Sequence, residues 1–149
     1  MKLAEALQER ADLNRRIEQL RIRLCNNALV QEGEQTAESP EELLKELDGC
    51  ISRLEELITK INLANCRTVV DGKSLTELIA QKDTLTLKIS HYRSLIDTAS
   101  HSIPRAARSE IKIMSAVDVK ALQKKTDEMS KQLRLIDNAI QQTNWTTEL

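Results

Sequence analysis

Apolar residues recur three and four positions apart in four stretches of this chain, and each stretch predicts a helix with one buried face. Leu3, Ala6, Arg10, Leu13, Ile17, Leu20 and Leu24 mark the first, over about residues 3–29, with Arg10 interrupting its heptad. Leu43, Leu47, Cys50, Leu54, Leu57 and Ile61 mark the second, over about 41–65, with Leu44, Ile51 and Ile58 on its flank. A stripe of that width touches more than one neighbour, which points to three or four packed helices and not to a two-stranded coil. The third helix, over about 75–100, carries Leu75, Leu78, Lys82, Leu85, Ile89, Tyr92, Ile96 and Ala99. The fourth, over about 119–142, carries Val119, Leu122, Thr126, Met129, Leu133, Ile136 and Ile140. The shared repeat of roughly 3.5 residues predicts a left-handed twist.

The helix starts are written in local chemistry. Ser39-Pro40-Glu41-Glu42 offers a hydroxyl N-cap, proline at the first helical position and acids in the first turn. Ser74 with Glu77 three residues on forms a capping box, and Asp118 is placed to cap the last helix. Two runs between helices read as short strands, about 67–70 and about 110–115. The first leads into an Asp71-Gly72 turn signal. If helices alternate up and down, Val69 lies near the Trp145 tail and pairs with it, leaving Ile111–Met114 as an open edge. If the link from Ser100 to Asp118 instead runs back along the bundle, the two strands pair and helices 3 and 4 are parallel. On either path the expected assembly is larger than a monomer, because unpaired edges are usually covered. The predicted fold is mainly all-α. It is a single domain over 1–149, a bundle of four long helices with coiled-coil-like packing and short strands at the connections.

Composition supports that class. One Trp, one Tyr and no Phe leave a core of Leu, Ile, Val and Ala, which suits helix-on-helix packing. The net charge of −1 lacks the basic excess of a general nucleic-acid binder. The distribution is uneven. Residues 1–30 carry six basic and four acidic side chains, and residues 31–65 carry three and nine. An acidic second helix is therefore expected beside basic neighbours, and the arginines at 15, 16, 21 and 23 read as a solvated face. The N-terminus carries charges where a signal peptide needs an apolar core, and no run approaches the ~18 apolar residues of a membrane span. Cys25, Cys50 and Cys66 are odd in number and far apart, so a reduced, cytosolic chain is expected.

Catalytic signals are missing from the sequence. It holds no Gly-rich phosphate loop and no His-Glu-x-x-His. His91 and His101 read as surface or half-buried residues, and Glu77, Glu110 and Asp118 lack the Glu-x-x-His partners of a di-metal bundle. No enzyme, metal or cofactor is expected. Arg10 and Lys82 interrupt their stripes with stems laid on the core and charges lifted to water. The candidate interaction residues are Trp145 at the end of helix 4, Ile111 and Ile113 on the open run, and Arg108 in the preceding loop.

Several segments resemble septicolysin-like bacterial proteins. They are Met1–Leu7 with Glu9–Leu13, Val30–Glu34, Asp71–Thr76, Arg108–Lys112, Val119–Lys124 and the closing Asn144-Trp145-Thr146-Thr147-Glu148-Leu149. The resemblance spans the chain and implies a largely uncharacterised family whose name denotes a cytolysin. A pore former needs export and a segment able to enter a bilayer. The residues favour a cytosolic, self-associating structural or interaction module. The alternatives are the membrane-active cytolysin of the family name and a nucleic-acid-binding bundle.

Overall fold

The computed structural model describes residues 1–101 and 111–149. Their order is α1 (Leu3–Asn26), α2 (Pro40–Arg67), β1 (Val69–Val70), β2 (Lys73–Ser74), α3 (Leu75–Ser100) and α4 (Val119–Thr146). The mainly all-α class expected from the stripes is the one adopted, with four long helices and a short two-stranded sheet at one connection. The residues group into two compact units, 1–69 with 142–149, and 70–141.

In the first unit α1 and α2 lie close together and antiparallel. Leu20, Leu43 and Cys50 are buried, and Leu13, Ile17, Leu24 and Leu47 pack against them. Farther along α2, Leu57, Ile61 and Ala64 are buried too. The expected match of acidic and basic helices is realised in cross-helix ion pairs. Arg16 meets Glu46 at 2.7 Å, and Arg53 grips Glu9 through two hydrogen bonds of 2.7 and 3.0 Å. Arg23 reaches Glu38, just before α2.

The ends of these helices differ from the pattern-based bounds for local reasons. Helix α1 stops at Asn26, short of residue 29, because the buried Asn27 side chain donates to the Arg23 carbonyl at 2.8 Å. The same side chain accepts the Glu38 amide at 3.0 Å, which turns the chain toward α2. Helix α2 runs on to Arg67, with the Thr68 amide bonded to the Ala64 carbonyl. Its start follows the sequence, since Ser39 accepts the Glu42 amide and Pro40 opens the helix.

The C-terminal tail forms no strand pairing with Val69. It pairs with the N-terminus, where Lys2 and Glu148 form an antiparallel bridge. The Leu3 amide donates to the Thr147 carbonyl at 2.9 Å, and the Leu149 amide to the Met1 carbonyl at 3.0 Å. Lys2 Nζ also reaches Glu148 at 2.5 Å. Val69–Val70 pairs instead with Lys73–Ser74 across a two-residue loop. Asp71 at φ 50° and Gly72 at φ 81° both lie in the left-handed region, the requirement of a tight turn whose twist matches the strands. The local turn outcompetes a distant partner because closing a two-residue loop costs less chain entropy.

In the second unit α3 and α4 are antiparallel, which settles the orientation the sequence left open. Lys82 meets Asp137 at 2.5 Å, Arg93 donates to Ser130 at 3.4 Å, and Lys125 lies over the Tyr92 ring at 5.4 Å. Buried here are Leu75, Leu78, Ile89, Thr126, Met129 and Ile140. Ser74 accepts the Glu77 amide while Glu77 accepts the Ser74 amide, so α3 begins in the expected capping box. Asp118 caps α4 by accepting the Ala121 amide at 3.0 Å. Ile111–Ser115 is not a strand, and Glu110 lies outside the described residues.

Candidate functional site

The surface, not the core, carries the features that could act. Leu44, Ile51 and Ile58 stand seven residues apart on α2, so they share one face, and each is exposed. The neighbouring line Leu43, Cys50 and Leu57 is buried. One seam of α2 is thus filled and the adjacent one is open. Asp48 and Glu55, four residues C-terminal to Leu44 and Ile51, border the open seam.

A second feature lies between α3 and α4. Their contacts run through long side chains, and an open groove of about 1050 Å³ separates them. Ile89 and Leu133 form its apolar part, Ser90, Ser94 and Ser130 supply hydroxyls, and Arg93, Arg134, Asp97 and Asp127 supply charge. Among the described residues Arg134 has no carboxylate within ion-pair distance. Asp127 accepts from Gln123 at 3.0 Å, and Asp97 lies 3.7 Å from the His101 ring.

The interaction residues named from sequence fall in three places. Ile111 and Ile113 are 79% and 69% exposed, and Met114 beside them is 80% exposed, so this run presents apolar surface without forming a strand. Trp145 lies in the last turn of α4, not in a tail, and is 54% exposed. The helix extends through it because Thr143 and Asn144 are buried and the Thr147 amide bonds to the Thr143 carbonyl. Arg108 lies outside the described residues.

Sequence reasoning missed the α3–α4 groove. Its signal was available in Ser90, Ser94 and Ser130, small hydroxyl residues beside the two stripes that contain Lys82 and Thr126. Thr126 is fully buried and returns its hydroxyl to the Leu122 carbonyl at 2.9 Å. Lys82 is half-buried and engages Asp137, whose carboxyl that ammonium holds below its usual range.

Among the described residues no group of three or more His, Cys, Asp or Glu is placed to hold a metal ion. Four of the five arginines of α1 each face a carboxylate: Arg15 Asp12, Arg16 Glu46, Arg21 Glu18, and Arg23 Glu38. None of the helices, among the described residues, is long and apolar enough to cross a membrane.

Comparison with known proteins places the chain. A family model described as a family of unknown function, DUF6847, matches residues 10–149. The chain belongs to the DUF6847 family. A solved structure, a functionally unknown conserved protein from Corynebacterium diphtheriae, is similar to this DUF6847 chain at 39% identity with a TM-score of 0.90. The alignment covers 100% of this chain and 98% of that one. No curated protein matches it significantly. The solved structure shares this helical fold, and activity is left to be argued from the surface.

Proposed function

We propose that this DUF6847 chain is an interaction protein, a single helical domain that self-associates and acts through its surfaces. The observation that carries the reading is the open seam of Leu44, Ile51 and Ile58 beside a filled one on the same helix. Apolar side chains aligned on one exposed helix face form the kind of contiguous patch through which proteins associate. Ile111, Ile113 and Trp145 support the same reading, being large apolar groups left in solvent. Three cysteines that form no disulfide among the described residues, two of them exposed, fit a reducing compartment, and we place the protein in the cytoplasm.

The test is molar mass in solution, measured by light scattering across a dilution series. We expect a dimer or larger species whose mass falls on dilution. A monomer at every concentration would overturn the proposal.

The septicolysin-like resemblance of the sequence segments belongs to this reading as kinship, without lytic activity. Dye leakage from liposomes at sub-micromolar protein would replace the interaction module with a membrane-active protein.

A further inference from the structure

We infer that the side of α3 turned away from α4 is the seat of a second copy of this chain, docked so that α3 lies antiparallel on its counterpart. The inference rests on the self-association proposed above and adds to the α2 seam a second face, in the other compact unit.

Helix α3 is apolar on two sides. Lys82, Ile89 and Arg93 lie on the side that meets α4. On the opposite side Ala80, Thr84, Leu87, His91, Leu95 and Thr98 follow one another three and four residues apart, and all six are exposed. Leu87 is 59% and Leu95 45% exposed. The only titratable member of this face is His91, and the Thr84 hydroxyl already donates to the Ala80 carbonyl at 2.9 Å. A helix with apolar residues on both sides is suited to being covered on both.

The order of the residues points to the occupant. Counted from His91 in either direction, the face has leucine at four residues and threonine at seven. A two-fold axis crossing α3 beside His91 therefore sets Leu87 of each copy against Leu95 of the other, and Thr84 against Thr98. One contact is thus made twice, as an isologous interface requires. Shape and charge agree with the same axis. Beside Leu95 lies a hollow of about 520 Å³ lined also by Ile113, Met114 and Val117, and Leu87 of the other copy comes level with it. Asp83 has no ion pair among the described residues. The axis brings it level with Ala99 of the other copy, whose hollow is also lined by Lys112 and His101. Asp97, the other acid at that end, lines the α3–α4 groove. An acid at one end of the face and basic groups at the other complement each other twice across the axis.

Charge placement provides the test. Leu87 and Leu95 are exposed, so Leu87→Lys (L87K) and Leu95→Glu (L95E) leave the folded core alone, which far-UV circular dichroism checks. Both are made in an Ile51→Lys (I51K) background, which spoils the α2 seam and leaves the α3 face intact. By sedimentation equilibrium the I51K chain should still dimerise. L87K or L95E added singly should weaken that dimer at least ~10-fold, because each sets an unpaired charge against leucine. Added together they place opposite charges side by side on both sides of the axis and should regain most of the loss. An I51K chain that is monomeric while the wild type associates overturns the α3 face and leaves self-association to the α2 seam. So does a dimer that the single changes do not weaken or the pair does not recover. A wild-type chain that is monomeric throughout removes the proposal of self-association, and the α3 face with it.

Discussion

The α1–α2 pair and the α3–α4 pair are built from stripes of the same period, yet one closes and the other stays open. Helix α1 offers Leu13, Ile17, Leu20 and Leu24 in succession to Leu43, Leu47 and Cys50 of α2. These side chains interdigitate with no polar interruption, and the ion pairs of Arg16 and Arg53 lie outside the seam. Helices α3 and α4 set Lys82, Tyr92 and Thr126 into theirs. Long polar groups hold two helices apart when their heads must reach partners or water. The lesson is that period decides whether a helix has a buried face, while the residues on that face decide how near its neighbour comes.

The largest expected effect separates the two pairs directly. Leu20 is fully buried in the closed pair, so Leu20→Ala removes apolar contact and leaves a cavity, at a cost of about 3–4 kcal/mol. Ile89 is nearly as buried but lines the groove, so Ile89→Ala opens onto space already present. Only the transfer part of the cost applies there, about 2 kcal/mol. Urea unfolding of both variants measures the gap. Equal losses would mean that α3 and α4 are as tightly packed as α1 and α2.

Less packing leaves α3 more dependent on its ends. Ser74 and Glu77 cap it reciprocally, with the Glu77 amide 3.2 Å from the Ser74 hydroxyl and the Ser74 amide 2.7 Å from the Glu77 carboxylate. Ser39 accepts the Glu42 amide at a longer 3.4 Å. We expect Ser74→Ala to destabilise by about 1 kcal/mol and Ser39→Ala by less, each read from the shift in urea midpoint. A larger loss at Ser39 would reverse the ranking of the two helices.

In the closed pair one position works against the helix. Gly49 lies inside α2, and a Cβ built there meets nothing within 4 Å. Gly49→Ala should stabilise by about 0.5–1 kcal/mol, because alanine leaves the unfolded chain fewer backbone conformations to lose on folding. Gly72 is equally uncrowded but sits at φ 81°, so alanine there should destabilise. Thermal midpoints moving in opposite directions for the two variants would confirm that conformation, not space, governs both.

These same features explain what could be read from the sequence. The bounds of α3 were legible because Ser74 and Glu77 announce its start and the stripe persists to Ala99. Asp118 did the same for α4. The end of α4 was hidden, since Thr143 and Asn144 look like solvent residues and are buried only by tertiary structure. Val69–Val70 was legible as a strand, but Lys73–Ser74, the two residues beyond the Asp71-Gly72 turn, carry no strand signal of their own to mark them as its partner. Ile111–Ser115 alternates as a strand would, yet a strand exists only where a second backbone accepts its hydrogen bonds, and the run alone cannot show that. The groove stayed hidden for a related reason. Helix separation is a property of two stripes together, and the sequence lists them one at a time.

Acid should probe both pairs at once, with the smallest effect. In the first unit Arg53 holds the Glu9 carboxyl below its usual range by hydrogen bonding, and Lys2 does the same to Glu148. In the second, Lys82 lowers Asp137, and the Ser74 amide and hydroxyl lower Glu77. Each group binds a proton more readily in the unfolded chain than in the folded one. Its contribution is therefore complete above the unfolded carboxylate value of about 4.3 and is lost as pH falls through the lower folded value. The urea midpoint should be flat from about pH 7 to about pH 5 and decline below about pH 4. All four groups are at least partly solvated, so the decline should be shallow. Glu77→Gln keeps an acceptor at the cap but carries no charge to lose, so it should lower the neutral midpoint slightly and flatten the acid limb. An acid limb as steep in that variant as in the wild type would assign the sensitivity to the ion-paired carboxylates, Glu9, Asp137 and Glu148 among them, and not to the cap that starts α3.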